Sequence, residues 1–310
     1  MRKDIKSILF ILPSNTGDIL LSLPSVLLAG QGYPDADITC AVSPANLEFF
    51  KSLNISSNVI VFDKKKALIV KLLWIIKLFK KFDVCIDLKN SFIPYLVGAR
   101  IFSTPFGRNF KGHKTMMYRK IAACTLRLSN DPPQLQIDPV IHSGRIDFFN
   151  RLLPSKYVFF SPCSKSSDKR FPVNKAAELI DTIIKGGDSV VLTGSPDDYD
   201  YMSQVINAVE CSDKIINLTG QTTFSELFFL FKNYADIVVS CDSAPLHAAS
   251  IQNKPVMAVF ASTDPLFYGP FSEHYKVKRL KRMIDIDIEN IYEDIKELKK
   301  YTDNTDRQNR

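Results

Sequence analysis

The chain of 310 residues contains no Gly-x-Gly-x-x-Gly and no Gly-x-x-x-x-Gly-Lys-Ser/Thr. Neither a dinucleotide fingerprint nor a P-loop is therefore present. Six cysteines (Cys40, Cys85, Cys124, Cys163, Cys211 and Cys241) include no Cys-x-x-Cys pair, and none of the four histidines has a second ligand at zinc spacing. That pattern argues against a zinc or dithiol site, so no metal and no cofactor is expected. Several cysteines lie in apolar strand-like runs and read as small buried hydrophobes of a reducing compartment. Long apolar segments are also missing. The longest, 67–79, is interrupted by Lys71 and Lys77 and falls well short of the roughly 20 residues that span a bilayer. Residues 1–10 carry Arg2, Lys3 and Lys6 ahead of an apolar run that stops at Pro13, without a small-residue cleavage site. This is not a convincing signal peptide, and a cytoplasmic protein is expected.

What is present is ordinary globular composition, 45% hydrophobic and 24% charged. Lys+Arg 40 against Asp+Glu 33 leaves +7, which favours anionic partners but is too diffuse to imply nucleic acid. Short apolar runs alternate with segments of helical period, the pattern of βα repeats and a parallel sheet. The first half predicts strands at 8–12, 38–42, 59–62 and 84–88, with helices at 18–28, 45–51, 66–80 and 114–127. A connector at 130–139 holds Pro132, Pro133 and Pro139. The second half predicts strands at 157–160, 190–192, 214–217, 237–239 and 256–260, with helices at 174–185, 199–209, 224–233 and 245–251. A charged closing helix at 287–300 precedes a polar tail, 301–310, that is expected to be disordered. The reading is α/β: two Rossmann-like domains with parallel sheets facing across a cleft, 1–150 and 151–310.

The polar residues of interest all follow strand-like runs, where open parallel sheets bind ligands. Gly17-Asp18 opens the first helix. Asp18 there reads either as an N-cap or as a general base, and the two readings are compatible. Lys165, Lys169 and Arg170, in a stretch with Ser161, Ser164, Ser166 and Ser167, read as a solvated basic face or as a phosphate site leading into a helix. In Asp242-Ser243-Ala244-Pro245-Leu246-His247, Pro245 suits a first helical turn and leaves the Ser243 and Ala244 amides for an anion. His247 by itself reads more readily as structural. Thr263-Asp264-Pro265 is a common turn, and Asp198, after Thr193-Gly194-Ser195, reads as turn chemistry or as a partner for ribose hydroxyls. Asp285-Ile286-Asp287 superficially matches a metal-binding Asp-x-Asp but abuts the charged closing helix.

Several of these stretches together resemble the ADP-heptose:lipopolysaccharide heptosyltransferases, glycosyltransferase family nine. They are Ile11-Leu12-Pro13-Ser14-Asn15-Thr16-Gly17-Asp18-Ile19-Leu20-Leu21-Ser22-Leu23-Pro24, Lys169-Arg170-Phe171-Pro172, Asn217-Leu218-Thr219-Gly220, Val239 to His247 and Phe260 to Pro265. The resemblance implies a GT-B fold with an N-terminal acceptor domain and a C-terminal nucleotide-sugar domain. It implies an inverting, metal-independent transfer of heptose from ADP-heptose, or a related nucleotide sugar, to a lipopolysaccharide inner-core acceptor. Asp18 would then be the catalytic base. Donor binding would fall to Thr16, Gly17, Lys165, Lys169, Asp198, Thr222, Asp242, Ser243, Ala244 and His247. Ala244 stands where the family usually has Gly, Phe171 where Trp is common and Asp198 where Glu is common.

An inner-core acceptor carries carboxylates and phosphates, so its site needs cations; Lys89, Arg108, Lys111 and Arg119 are the candidates, with Arg100 and Lys114 beside them. The Lys-rich segment 64–81, with Trp74, reads either as a core helix or as a shallow peripheral contact with the anionic inner membrane. Two rivals stand beside the transferase. One is another GT-B enzyme, such as an epimerase or a transferase of a different sugar. The other is a non-catalytic sugar-nucleotide-binding protein.

Overall fold

The computed structural model describes residues 4–104, 110–131, 137–154 and 157–308. The chain divides into two compact units, Met1–Asp138 and Pro139–Arg310.

In the first unit five parallel strands lie in the order β3-β2-β1-β4-β5. They are β1 (Ser7–Ile11), β2 (Asp37–Val42), β3 (Asn58–Val61), β4 (Val84–Asp87) and β5 (Ile101–Phe102). The helices are α1 (Thr16–Gly32), α2 (Leu47–Ser52), α3 (Leu68–Leu78), α4 (Ile93–Val97) and α5 (Lys114–Leu126). The continuous apolar runs of β1 and β4 are buried on both faces, as central parallel strands require, with Leu9, Phe10, Cys85 and Ile86 fully enclosed. Helices α1 and α5 pack together on one side of the unit.

The second unit opens with α6 (Ser143–Leu152) and builds a six-stranded parallel sheet in the order β11-β10-β9-β6-β7-β8. Its strands are β6 (Tyr157–Ser161), β7 (Ser189–Leu192), β8 (Ile215–Asn217), β9 (Val238–Cys241), β10 (Val256–Phe260) and β11 (Tyr275–Arg279). Between and after them run α7 (Val173–Lys185), α8 (Tyr199–Asn207), α9 (Phe224–Tyr234), α10 (Ala244–Ile251), α11 (Pro265–Tyr268) and α12 (Ile288–Gln308). Four inward positions of α12 (Ile288, Ile291, Ile295 and Leu298) join the core formed by α7 and the sheet.

Four expectations change. The unit boundary lies at 138/139 rather than 150, because α6 is tied into the second unit: Arg145 Nε donates to Glu226 Oε1 (2.5 Å) and Tyr234 Oη to Asn150 Oδ1 (2.5 Å). Helix α12 runs to Gln308 instead of ending at 300, since extending a packed helix costs far less than nucleating one. Strand β11 went unpredicted because Tyr-Lys-Val-Lys-Arg is charged, which is how exposed edge strands avoid further pairing. Helix α3 packs on the core only through the partly buried Trp74, Ile75 and Leu78; none of its residues is fully buried. Among the described residues no helix is long and apolar enough to cross a membrane.

Candidate active site

In a doubly wound sheet the loops on either side of the strand where the winding reverses part from each other and leave a crevice at the carboxyl edge. The strand orders put that point between β1 and β4 in the first unit and between β6 and β9 in the second.

A cavity of about 460 Å³ occupies the first of these points, walled by Ser14 and Asn15 after β1, Lys89 and Asn90 after β4, and Lys64, Lys114 and Tyr118. Asp87, at the end of β4, fixes the turn that carries Lys89 and Asn90. The carboxylate accepts the backbone amides of Lys89 (2.7 Å) and Ser91 (2.6 Å) and the Ser91 hydroxyl (2.6 Å). This turn carries Asn90 into the left-handed region at φ 60° and lays the Lys89 ammonium 4.8 Å from the centre of the Phe62 ring. Among the described residues the buried Lys89 Nζ has no hydrogen-bond partner. Burial pulls its pKa below the ordinary lysine range; Asp87 opposes that and Lys64 adds to it. A buried ammonium without a hydrogen-bond partner among the described residues, in a cavity lined by two further lysines, has the chemistry to receive an anion.

Asp18 is not among the residues that line this cavity; Asn15, three residues before it, is. The helix N-cap is Asn15, so Asp18 lies in the first turn rather than at the cap itself, and the Asn15 amide donates to its Oδ2 (3.3 Å). The strand-to-helix turn is braced from behind by Asn46, which donates to the Ser14 carbonyl (3.0 Å) and to Ser43 Oγ (2.8 Å) and receives the Thr16 hydroxyl (2.7 Å). Neither Ser43 nor Asn46 was foreseen, because a structural brace of this kind leaves no sequence motif.

At the second reversal Lys169, from the loop after β6, reaches Asp242 Oδ2 at 2.7 Å, just past the end of β9. Thr263, from the loop after β10, donates to the same oxygen (2.5 Å), and His247 Nε2 stands 3.9 Å from Oδ1. Phe171 fixes the Lys169 loop. Its ring packs edge-on against Phe160 (5.1 Å between centroids), its amide donates to the Pro162 carbonyl (3.1 Å), and its carbonyl accepts the Tyr201 hydroxyl (2.8 Å). Arg170 Nη2 donates to the Ser164 carbonyl (3.0 Å) and pairs with Asp198 Oδ1 (3.2 Å). Hydrogen bonds from Ser166 and Ser262 hold the Asp168 carboxyl below its ordinary range and link the β6 and β10 loops. The Cys241 thiol beneath is pushed up to about 12 by burial and donates to the Cys163 carbonyl (3.2 Å), so it is a strut and not a nucleophile.

Helix α10 begins here. Ser243 is its N-cap and makes no side-chain cap; its hydroxyl lies instead 3.2 Å from Ser240 Oγ. The first amides of a helix have no acceptor within it, and Pro245 already removes one. The arrangement offers an ammonium, hydroxyls and helix-start amides at one edge, which is chemistry for a phosphate.

The predicted residues separate accordingly. Lys169, Asp242, Ser243, Ala244 and His247 come together at the second reversal. Asp198 is almost buried, its Oδ2 receiving the Ser195 amide (2.9 Å) and hydroxyl (2.6 Å) in a capping box. Lys165 is exposed, and Thr222 precedes the Thr223 N-cap of α9. In the first unit Lys89 and Lys114 line the cavity, whereas Lys111 and Arg119 do not; Arg119 Nε donates to Asn130 Oδ1 (3.1 Å). Arg100 is corrected: it pairs with Asp83 (3.1 Å), which precedes β4 at the amino edge of the sheet. Arg108 lies outside the described residues. Asp285, of the Asp-x-Asp, pairs with Arg282 (2.9 Å).

Comparison with known proteins agrees with this chemistry. The chain is 23% identical over 291 residues to lipopolysaccharide heptosyltransferase 3 of Escherichia coli, covering 83% of this chain and 84% of that one. It is 24% identical to the lipopolysaccharide core heptosyltransferase OpsX of Haemophilus influenzae, over 86% of this chain and 82% of that one. The solved structure of E. coli ADP-heptose lps heptosyltransferase II matches with a TM-score of 0.79 at 22% identity, covering 96% of this chain and 99% of that one. A family model, glycosyltransferase family 9 (heptosyltransferase), matches residues 109–295. The chain is therefore a glycosyltransferase of the GT-B type, and it belongs to glycosyltransferase family 9.

Proposed function

We propose that this glycosyltransferase moves heptose from ADP-heptose onto an anionic inner-core sugar of lipopolysaccharide. The observation that carries the reading is the Lys169 ammonium, held by Asp242 beside the start of α10, which sets a charged donor next to helix-start amides where a diphosphate would sit. Asp18 takes the proton from the acceptor hydroxyl as that oxygen attacks the anomeric carbon from the face opposite the nucleotide. The glycosidic bond forms as the bond to the diphosphate breaks, and ADP leaves with inversion. Charge grows on the departing phosphate, and Lys169 with the Ser243 and Ala244 amides stabilises it; each such bond contributes about 1.5–3 kcal/mol. Thr263 holds Asp242, which keeps the Lys169 ammonium in position. These groups replace the neutralising role of a metal. Lys89, Lys64 and Lys114 receive the phosphate or carboxylate of the acceptor. The work takes place at the cytoplasmic face of the inner membrane, where a lipid-linked acceptor is presented.

The test is release of ADP by the purified protein from ADP-heptose and a deacylated core acceptor, with and without EDTA. Turnover with ADP-heptose that survives chelation supports the reading. Turnover only with another nucleotide sugar would replace the donor, and a donor-dependent product with no acceptor consumed would point to an epimerase.

A further inference from the structure

The sequence 64–82 (Lys-Lys-Lys-Ala-Leu-Ile-Val-Lys-Leu-Leu-Trp-Ile-Ile-Lys-Leu-Phe-Lys-Lys-Phe) contains seven lysines and no acid. Helix α3 lies within it and is apolar on two opposite faces. Trp74, Ile75 and Leu78 turn inward, partly buried against the core beside Phe62 and Val97. Ile69, Leu72, Leu73 and Ile76, spaced i, i+3, i+4 and i+7, turn outward, and they are 63%, 41%, 52% and 66% exposed. The core needs only the first face. Helix α4 packs beside α3 and adds exposed Tyr95 and Leu96, with Phe92 just before it at 77% exposure. A contiguous apolar face of this kind is not a random surface feature.

We propose that the α3–α4 face seats the protein on an anionic lipid bilayer, with α3 lying in the plane of the headgroups. Charge selects this occupant. Lysines flank the outward face at both ends, at Lys64–66 and at Lys77, Lys80 and Lys81. The Lys80 ammonium sits 5.3 Å from the centre of the exposed Phe79 ring. That combination suits a surface that is apolar below and negative above, since each lysine near it gains roughly fivefold in partitioning. Eleven residues of helix cannot span a bilayer but can lie in its interface. Position supports the same occupant. Lys64 both opens the basic run and lines the cavity that holds Lys89. An acceptor embedded in the same membrane thus meets its site at the edge of the docking face. The inference deepens the proposed function by naming the surface on which the acceptor is presented, and it rests on that reading only for this last step.

Vesicle flotation with the full chain tests the docking itself, independently of catalysis. Wild type should float with phosphatidylglycerol-rich vesicles and much less with phosphatidylcholine vesicles, and added salt should weaken binding. The triple variant Ile69→Ser/Leu73→Ser/Ile76→Ser changes exposed positions only and should bind at least roughly tenfold more weakly. The variant Lys65→Gln/Lys66→Gln/Lys77→Gln should lose roughly a hundredfold on anionic vesicles. Both should release ADP at the wild-type rate with the deacylated acceptor and slowly with a vesicle-borne one. Equal binding of wild type and variants overturns the proposal. So does a dimer of the wild type that the triple serine variant abolishes, which would make the face a contact between copies. Intact docking without any turnover would instead sink the proposed reaction while leaving the membrane face standing.

Discussion

Lys169 Nζ and Asp242 Oδ2 lie 2.7 Å apart, joining the loops that follow β6 and β9 at the strand pair where the second sheet reverses its winding. Asp242 is only 7% exposed, so that ammonium and the Thr263 hydroxyl supply the partners that water would otherwise give its carboxylate. Removing Lys169 thus strikes twice. Lys169→Ala should raise the donor KM by roughly ten- to a hundredfold, the worth of one charged hydrogen bond. It should also lower the melting temperature, because a buried carboxylate loses its partner. Steady-state kinetics and a thermal melt on the same preparation read both, and an unchanged donor KM would remove Lys169 from the site.

Asp18 has a narrower role, which Asp18→Asn isolates. General-base assistance is worth about 10²–10⁴ in rate, so kcat should fall by that factor while the Kd for ADP stays constant. Calorimetric titration with ADP separates loss of chemistry from loss of the fold. Loss of ADP binding would show Asp18 to be a binding residue.

Lys89 predicts an unusual pairing of effects. Burial lowers its pKa in the folded chain, opposed by Asp87, so folding disfavours its charged form. At any pH below that lowered value the ammonium costs stability, and the cost fades as pH rises through it towards the unfolded value. Lys89→Met should therefore leave the melting temperature unchanged or raised at neutral pH. The kcat/KM for an anionic acceptor should nonetheless fall by roughly tenfold or more. A melt that drops with acceptor kinetics unaltered would make Lys89 a structural residue.

Glu226 carries acid sensitivity in the second unit. Burial pushes its pKa up, but Arg145 and the Thr223 amide and hydroxyl more than offset this, and the net value lies below the ordinary 4.5. A depressed carboxylate stabilises the fold above its unfolded value, and that contribution disappears as pH falls through the folded value. Glu226→Gln should cost about 1–2 kcal/mol at neutral pH, and the gap to wild type should close in acid. Denaturant titrations at neutral and acidic pH would show a constant gap if Glu226 were not the responsible group.

Much of this was legible in the chain. Apolar runs such as Leu9–Ile11 and Val190–Leu192 announce buried parallel strands because a strand covered on both faces has no polar side to show. Lys169 and the 242–247 stretch were recognisable because each ends such a run or opens the following helix. Asp198 was visible as a polar residue in a turn with Ser195, but not its pairing with Arg170, for that contact depends on where the loops after β6 and β7 meet. Arg100 and Lys89 read alike as cations of one domain. The structure puts one at the amino edge against Asp83 and the other in the cavity, because Arg100 precedes strand β5 whereas Lys89 follows strand β4.

The sequence by itself determined the two α/β halves, their parallel strands and the family, because hydrophobic period and local turn chemistry are written residue by residue. Tertiary structure alone decided which loops share a reversal point, that the Lys89 ammonium is buried without a hydrogen-bond partner among the described residues, and that α3 keeps an apolar face outside the core. Those properties arise from strand order and from which side of a helix finds a neighbour, and both are set by segments far apart along the chain.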